Sequence, residues 1–319
     1  MGSGTSQVPA GVLDSPLVSV CVVTYNHARF IRDCLDGILA QDASFPFEVL
    51  VGDDASTDGT AEIVREYAKR YPQKVTAILH KTNQGPTKNF FSVHNAARAP
   101  YVAHIDGDDL AYPARLRRQV ELLEAHPECT VAAHDMDVIS EDGVRLPGSY
   151  FPGNPPVANL EFLVRSGGYF CHSSKMYRRS AVLSTASDRE LLDFYFHVEH
   201  ARAGNIAWIP DRLGAYRRRS GVTFNPKFDS IIAIAHHEAI DHALELGCDP
   251  KVVRIGHLRV NMKIAHKQLL RGQHDAFAQT IRLRGTDYLH ASWKHVVLSL
   301  LRNNRPALEF IMRKRSRGL

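Results

Sequence analysis

Three short apolar runs, each emptying into a polar or acidic cluster, constrain this chain more than any other feature. Val18-Ser19-Val20-Cys21-Val22-Val23 leads into Thr24-Tyr25-Asn26, and Glu48-Val49-Leu50-Val51 into Gly52-Asp53-Asp54. Tyr101-Val102-Ala103-His104-Ile105 leads into Asp106-Gly107-Asp108-Asp109. Short runs that are apolar at nearly every position predict strands covered on both faces. Between them, apolar residues recur at helical spacing: Phe30, Ile31, Cys34, Leu35 and Ile38, then Ile63, Val64 and Tyr67. Asn26 is placed to cap the first helix and Ser56-Thr57-Asp58 the second, which stops before Pro72. A strand over Val75 to Leu79, the turn Asn83-Gln84-Gly85-Pro86 and a helix over Asn89 to Ala97 continue the alternation. Such alternation with short connections predicts an α/β fold with a doubly wound, mainly parallel sheet. Ligands of open sheets bind beyond the carboxyl ends of the strands, so the three clusters should crowd one edge.

Composition narrows the function classes. The chain has 319 residues, 44% hydrophobic and 23% charged, enough to bury a sizeable core. A net charge of +5 is too weak to signal nucleic acid, though it suits anionic ligands such as nucleotide diphosphates. The five cysteines form no CxxC pair, which argues against a zinc ribbon or a disulfide framework and for reduced thiols in cytoplasm. Residues 1–16 are small and polar and read as a flexible lead, not a signal peptide. No stretch approaches 18 uninterrupted apolar residues, so no membrane span is expected and the location is cytoplasmic or peripheral to the membrane.

Carboxylates gathered at one edge repel each other unless a cation sits among them. A hard divalent ion with oxygen ligands answers that need, and Asp106 and Asp108, separated by a glycine, could hold one against a diphosphate. Alone, Asp-Gly-Asp-Asp would be a solvated turn; the convergence of the other two strand ends makes it a site.

The segments VCVVTYNHARFI (20–31), VGDDASTDGT (51–60), Asn83-Gln84-Gly85 with Asn89, and HIDGDD (104–109) resemble, in order and interval, family 2 glycosyltransferases of the GT-A fold. The resemblance covers roughly residues 17–125. It implies a nucleotide-diphosphate sugar donor (UDP commonest), a divalent Mn²⁺ or Mg²⁺, and inversion at the anomeric carbon. Carried onto this chain, it implies that Thr24, Tyr25 and Asn26 line the nucleotide pocket. Asp53 would contact the base, with Asp54 supporting the loop and Asn83, Gly85 and Asn89 packing around the nucleotide. Asp106 would lie near ribose and metal, Asp108 would be the main metal ligand, and Asp109 would hold the loop or touch the sugar.

The second half should supply the acceptor side. A strand over Thr130 to His134 precedes Asp135 and Asp137, and Gly143 to Pro156 reads as a loop. His172, before the strand-like Lys175 to Arg179, resembles a family position under the sugar site, where it would touch donor or acceptor or be structural. Asp193 opens a helix running to about Ala203 and resembles the family's acidic acceptor-side motif. An inverting transfer needs a base for the acceptor hydroxyl, and Asp193 is the candidate, with Glu190 and Asp188 as rivals. The family's Tyr-Arg-x-His run reads here Tyr216-Arg217-Arg218-Arg219, so Arg217 and Arg219 become candidate diphosphate contacts and histidine ligation there is in doubt.

The expected organisation is a catalytic domain over 17–228, with a donor half at 17–125 and an acceptor half at 126–228, followed by an α-helical extension over 229–319. His236-His237-Glu238 and His242 miss the spacing of a zinc helix by one residue. The basic tail, with Arg302, Arg305, Arg313, Lys314, Arg315 and Arg317, would suit an anionic membrane surface and a lipid-linked acceptor, or be a packing helix with a basic end. The sequence leaves open transfer to a polyprenyl phosphate, which needs no base, and a non-catalytic nucleotide-sugar binder of the same fold. It gives no oligomeric state. An NAD-dependent enzyme is disfavoured because no G-x-G-x-x-G follows the first strand.

Overall fold

The computed structural model describes residues 15–150, 154–181, 190–218 and 229–308. They divide into two compact units, a sheet unit (15–150, 154–157, 170–181, 190 and 203–218) and a helical unit (158–169, 191–202 and 229–308).

The strands are β1 (Val18–Thr24), β2 (Phe47–Asp53), β3 (Val75–Leu79), β4 (Tyr101–Asp106), β5 (Leu110–Ala111), β6 (Cys129–Ile139), β7 (Arg145–Leu146), β8 (Val157–Ala158), β9 (Lys175–Arg178) and β10 (Asn205–Arg217). The main sheet order is β3-β2-β1-β4-β9-β6-β10-β5. β3, β2, β1 and β4 pair in parallel; β9 runs antiparallel to β4 and β6, and β6 is parallel to β10. The sheet is therefore mixed and mainly parallel, as expected.

The helices of this unit are α1 (Ile31–Leu39), α2 (Thr60–Arg70), α3 (Pro86–Ala96) and α4 (Arg115–Ala125). α1 buries Ile31, Cys34, Leu35 and Ile38, one stripe at helical spacing, against Val20, Val22, Val49, Val51 and Ile105 of the strands. Each large aliphatic side chain so enclosed stabilises the unit by about 1.5–3 kcal/mol.

One buried cation joins the layers. Arg115 of α4 donates from Nη2 to the His104 carbonyl at 2.7 Å and from Nε to Gln119 Oε1 at 3.2 Å. Gln119 in turn donates to the carbonyls of Ala132 and Ser174, both at 2.9 Å. Burial pulls the Arg115 guanidinium down to about 10, and these carbonyls supply the partners that a buried donor needs. All five cysteines are free and buried. Burial pushes the Cys34 thiol well up, and the Cys129 thiol up to about 11.

Three local expectations change. β6 extends to Ile139, so Asp135 and Asp137 lie within a buried strand and not beyond its end. Arginines make that tolerable: Asp137 Oδ1 lies 2.6 Å from Arg145 Nη2 and 3.0 Å from Arg212 Nη1. Asn26 does not cap α1, which begins at Ile31 after Phe30; it sits at φ +55° and serves a neighbouring loop instead. α3 starts at Pro86, three positions before Asn89, because proline suits the first helical turn.

The helical unit contains α5 (Leu160–Ser166), α6 (Asp193–Ala203, whose last residue falls in the sheet unit), α7 (Asp229–Glu245), α8 (Pro250–Leu270), α9 (His274–Thr280), α10 (Asp287–His290) and α11 (Trp293–Leu300). Side-chain caps set several boundaries: Asn159 accepts the Phe162 N–H at 2.9 Å and Asp249 the Lys251 N–H at 2.7 Å. Ala265, Leu269, Phe277, Ile281 and Leu308 form a small core, with Leu298 and Leu301 packed against it. The histidines of α7 are structural. His236 bonds the Ile232 carbonyl at 2.9 Å, His237 pairs with His257 at 2.6 Å, and His242 pairs with Glu199 of α6.

Candidate active site

Parallel registry sets the site. Thr24 at the end of β1 is level with Asp53 of β2, and Val23 is level with Asp106 of β4. The loops beyond are fastened to these ends: the Gly107 N–H donates to the Val23 carbonyl at 2.9 Å and the Asp54 N–H to the Thr24 carbonyl at 3.1 Å. Gly107 is required by closeness, since a Cβ there would stand 2.7 Å from Thr24 Oγ1.

The first two loops brace each other. The Asn26 N–H donates to Ser56 Oγ and Asn26 Oδ1 accepts the Thr57 N–H, both at 2.9 Å. The Ala28 N–H reaches Asp58 Oδ2 at 3.0 Å. Asp53 is buried and both its oxygens accept the Ser56 N–H at 3.2 Å. Asp54, also buried, receives the Gln84 N–H at 2.7 Å and the Gly85 N–H at 2.9 Å, while Asn83 Nδ2 donates to its carbonyl at 3.2 Å. Buried Asn89 donates to the Gly52 carbonyl at 3.0 Å. Asp53, Asp54 and Asn89 thus shape the edge from within, while Tyr25, Asn26 and Asn83 are exposed on it. Glu190, a rival for the base, instead accepts the Thr87 hydroxyl at 2.8 Å and the Thr87 N–H at 3.2 Å at the start of α3.

The acidic loop is enclosed. Asp108 and Asp109 are buried, and Asp106 keeps part of its side chain open. Asp109 Oδ1 accepts the Arg217 N–H at 2.8 Å, whereas Asp109 Oδ2 is buried without a hydrogen-bond partner. Burial, and then the charges of Asp108 and Asp106, push the Asp109 carboxyl well above the carboxylate range. Burial also raises Asp106, offset in part by the Ser173 hydroxyl 3.1 Å away and by His27 and Lys175. His27 Nε2 lies 4.0 Å from Asp108 Oδ2.

Behind the loop runs a file of buried side chains. The Tyr177 hydroxyl is 2.6 Å from His94 Nδ1, His94 Nε2 is 2.9 Å from His104 Nδ1, and His104 Nε2 is 3.3 Å from Asp106 Oδ1. The phenol can donate to His94 and His94 to His104, while His104 Nε2, facing Asp106, is buried without a hydrogen-bond partner. His172 is buried beside this file, its ring centroid 4.1 Å from that of His104, and Lys175 Nζ lies 3.1 Å from His172 Nδ1. Sequence reasoning missed this file; a histidine inside the apolar run of β4 was the available signal.

Arg217 latches the loop from β10. Its Nε donates to the Asp108 carbonyl at 2.9 Å, its Nη1 to the Glu141 carbonyl at 2.8 Å, and its guanidinium lies 4.5 Å over the Phe30 ring. Arg219 and Asp188 lie outside the described residues. Asp193 is the first residue of α6 in the helical unit. The sheet edge therefore unites Thr24, Tyr25, Asn26, Asp53, Asp54, Asn83, Gly85, Asn89, Asp106, Asp108 and Asp109, with His172 and Arg217 set against the acidic loop.

The chain thus belongs to the α/β class, a mixed, mainly parallel sheet with an acidic loop at the carboxyl ends of its parallel strands. Residues 19–184, more than half of the chain, match glycosyl transferase family 2, and the chain belongs to that family. It is 40% identical over 206 residues to the uncharacterized protein Rv1520 of Mycobacterium tuberculosis (strain ATCC 25618 / H37Rv), covering 64% of this chain and 59% of that protein. It is 36% identical over 170 residues to a Bacillus subtilis (strain 168) protein provisionally named glycosyltransferase EpsE, covering 52% and 58%. The matched part thus spans less than two thirds of these relatives. Among solved structures, S. aureus TarS 1-349 in complex with UDP-GlcNAc superposes with a TM-score of 0.59 at 22% identity, covering 93% of this chain and 87% of that one. The mannosyltransferase PcManGT from Pyrobaculum calidifontis, in complex with GDP-Man and Mn²⁺, superposes with a TM-score of 0.56 at 20% identity, covering 92% and 86%. These neighbours show the GT-A fold.

Proposed function

We propose that this chain is an inverting glycosyltransferase. It moves a sugar from a nucleotide-diphosphate donor, UDP first among the candidates, to a hydroxyl of a glycan or lipid-linked sugar in bacterial surface polysaccharide or glycoconjugate synthesis. The observation that carries the reading is the enclosed trio Asp106, Asp108 and Asp109 at the carboxyl edge, with the buried Asp109 Oδ2 lacking a hydrogen-bond partner. The UDP-GlcNAc of one structural neighbour and the GDP-Man and Mn²⁺ of another support it.

The residues fit a hard divalent ion, Mn²⁺ or Mg²⁺. The donors are all carboxylate oxygens, burial and then their mutual repulsion raise the Asp109 carboxyl, and one buried oxygen is unsatisfied. Asp106 and Asp108 would hold the ion, and when bound it neutralises charge developing on the departing diphosphate.

The chain's own groups do the rest. Thr24, Tyr25 and Asn26 border the nucleotide, and Asp53 and Asp54 keep the loop beneath the base in shape. Arg217 latches the acidic loop, while His172 contacts donor or acceptor in this reading. As the acceptor oxygen bonds to the anomeric carbon, the bond from that carbon to the diphosphate breaks and its electron pair leaves with the diphosphate. The acceptor's proton passes to the carboxylate of Asp193.

The test is a thermal-shift comparison of UDP, GDP and dTDP, and their sugars, with and without Mn²⁺. One nucleotide should raise the melting temperature by more than about 1–2 °C only with metal, and Asp108→Ala should abolish the rise. No metal-dependent shift with any nucleotide would overturn the reading. Metal-dependent binding without transfer or hydrolysis would point to a non-catalytic binder.

A further inference from the structure

α11 packs Leu298 against the small core but turns Trp293, Val297 and Leu300 outward. Its two buried residues are His295 and Ser299, and none of its apolar side chains is fully buried. Ser299 Oγ accepts the Leu283 N–H at 3.1 Å, which anchors the helix by a polar contact. Trp293 is 71% exposed, Val297 39% and Leu300 66%. These positions are spaced i, i+4 and i+7 and form one face of the helix. Just before it, α10 exposes Tyr288 at 43% and Leu289 at 79%. A soluble surface rarely gathers apolar side chains this way without something to cover them.

The charge around this face indicates what covers it. Residues 281–308 contain five cationic side chains, Arg282, Arg284, Lys294, Arg302 and Arg305, against a single carboxylate, Asp287. That carboxylate already faces Arg254 at 2.9 Å. Lys294 Nζ lies 5.6 Å from the Trp293 ring, so cation and aromatic stand together. A second copy seated on this face would set the same cations against each other. An anionic lipid surface satisfies both components: acyl chains take the apolar side chains, the tryptophan ring sits at headgroup level, and the cations meet lipid phosphates. No helix among the described residues is long and apolar enough to cross a membrane, so the contact is one of lying on the surface.

We propose that the outward face of α11, Trp293, Val297 and Leu300, with its surrounding cations, docks the protein on an anionic lipid bilayer. The inference is independent of the transfer chemistry and of the acidic loop. Vesicles of phosphatidylcholine, with and without phosphatidylglycerol, test it on the full chain. The chain has two tryptophans, Trp208 being buried and Trp293 exposed, so Trp208→Phe leaves a single reporter on the proposed surface. Anionic vesicles should sediment the unaltered protein about tenfold more strongly than neutral ones, and salt should weaken the binding. The emission of Trp293 should shift to shorter wavelength in parallel. The paired change Trp293→Ser with Leu300→Ser should abolish sedimentation while circular dichroism and melting temperature stay unchanged. Equal sedimentation of that variant, or none of the unaltered protein, would overturn the proposal. So would a blue shift that grows with protein concentration in the absence of lipid, which marks a second copy on this face.

Discussion

His104 Nε2 lies 3.3 Å from Asp106 Oδ1 without a hydrogen bond between them, and the same imidazole is bonded through Nδ1, at 2.9 Å, to His94. A buried ring bonded through Nδ1 is fixed in orientation and keeps its Nε2 turned toward the carboxylate. With the Ser173 hydroxyl donating to Asp106 Oδ2 at 3.1 Å, it flanks the first carboxylate of the acidic loop, much as ligand carboxylates are oriented elsewhere by the groups behind them.

His104→Leu should lower the affinity for Mn²⁺ with UDP about tenfold and cost about 1–3 kcal/mol, because His94 Nε2 loses its buried partner. Tyr177→Phe, at the far end of the file, should cost about 1 kcal/mol with a smaller effect on binding. Calorimetric titration and urea melts read the two quantities separately. Nitrogen NMR should find both histidines with the proton on Nε2. A proton on His104 Nδ1 would refute the directed chain.

Acidification through the histidine range should destabilise the metal-free protein. Burial holds His104, His134, His236, His237 and His295 below the usual histidine range. As pH falls through about 6.5 the unfolded chain binds protons that the folded chain refuses, so stability drops by as much as ~1.4 kcal/mol per pH unit for each group. His242 opposes this: burial works against its charge, but Glu199 and Glu245 hold it above the usual range. Its contribution is present below the unfolded value and lost as pH rises. Asp109 and Asp106, raised in the folded chain, oppose the loss as well, since they take up protons before the unfolded chain does. The five histidines outweigh these groups, so urea midpoints should fall from about pH 6.5 to 5. A midpoint that rises over that interval would contradict this.

Gly85 sits at φ +87°, and a Cβ there would come 2.0 Å from Glu190 Oε1. Gly85→Ala should therefore cost about 1–3 kcal/mol through backbone strain and displacement of Glu190 from Thr87. Adding Glu190→Ala should recover the clash but not the strain. Combined losses that simply add would show that the two residues do not interact.

Asp193→Asn should leave metal-dependent nucleotide binding intact and reduce kcat by about 10²–10⁴-fold. Activity that survives the change would indicate an acceptor already ionised, such as a polyprenyl phosphate, for which no base is needed.

What the sequence disclosed follows from physical range. Strands such as 18–23 and 101–105 declare themselves because burial on both faces makes them apolar at consecutive positions, and parallel registry then sets Thr24 level with Asp53 and Val23 level with Asp106. The start of α8 carries local signals too, with Asp249 as its cap and Pro250 as its first residue. By contrast, the file from Tyr177 to Asp106 joins four residues on three separate elements, and no local pattern announces it. The extent of β6 was misjudged for the same reason: Asp135 and Asp137 look like a strand end until Arg145 and Arg212, far along the chain, neutralise them. Asn26 looked like a helix cap, but its bonds to the loop after β2 are contacts across 30 residues.

The burial of every cysteine leaves the native chain nearly silent to thiol-directed reagents. A single cysteine introduced on the surface could then carry a probe without removing any native thiol. Placed beside the acidic loop, it would time nucleotide arrival; placed on the outer face of α11, it would report whether that helix is wet or covered.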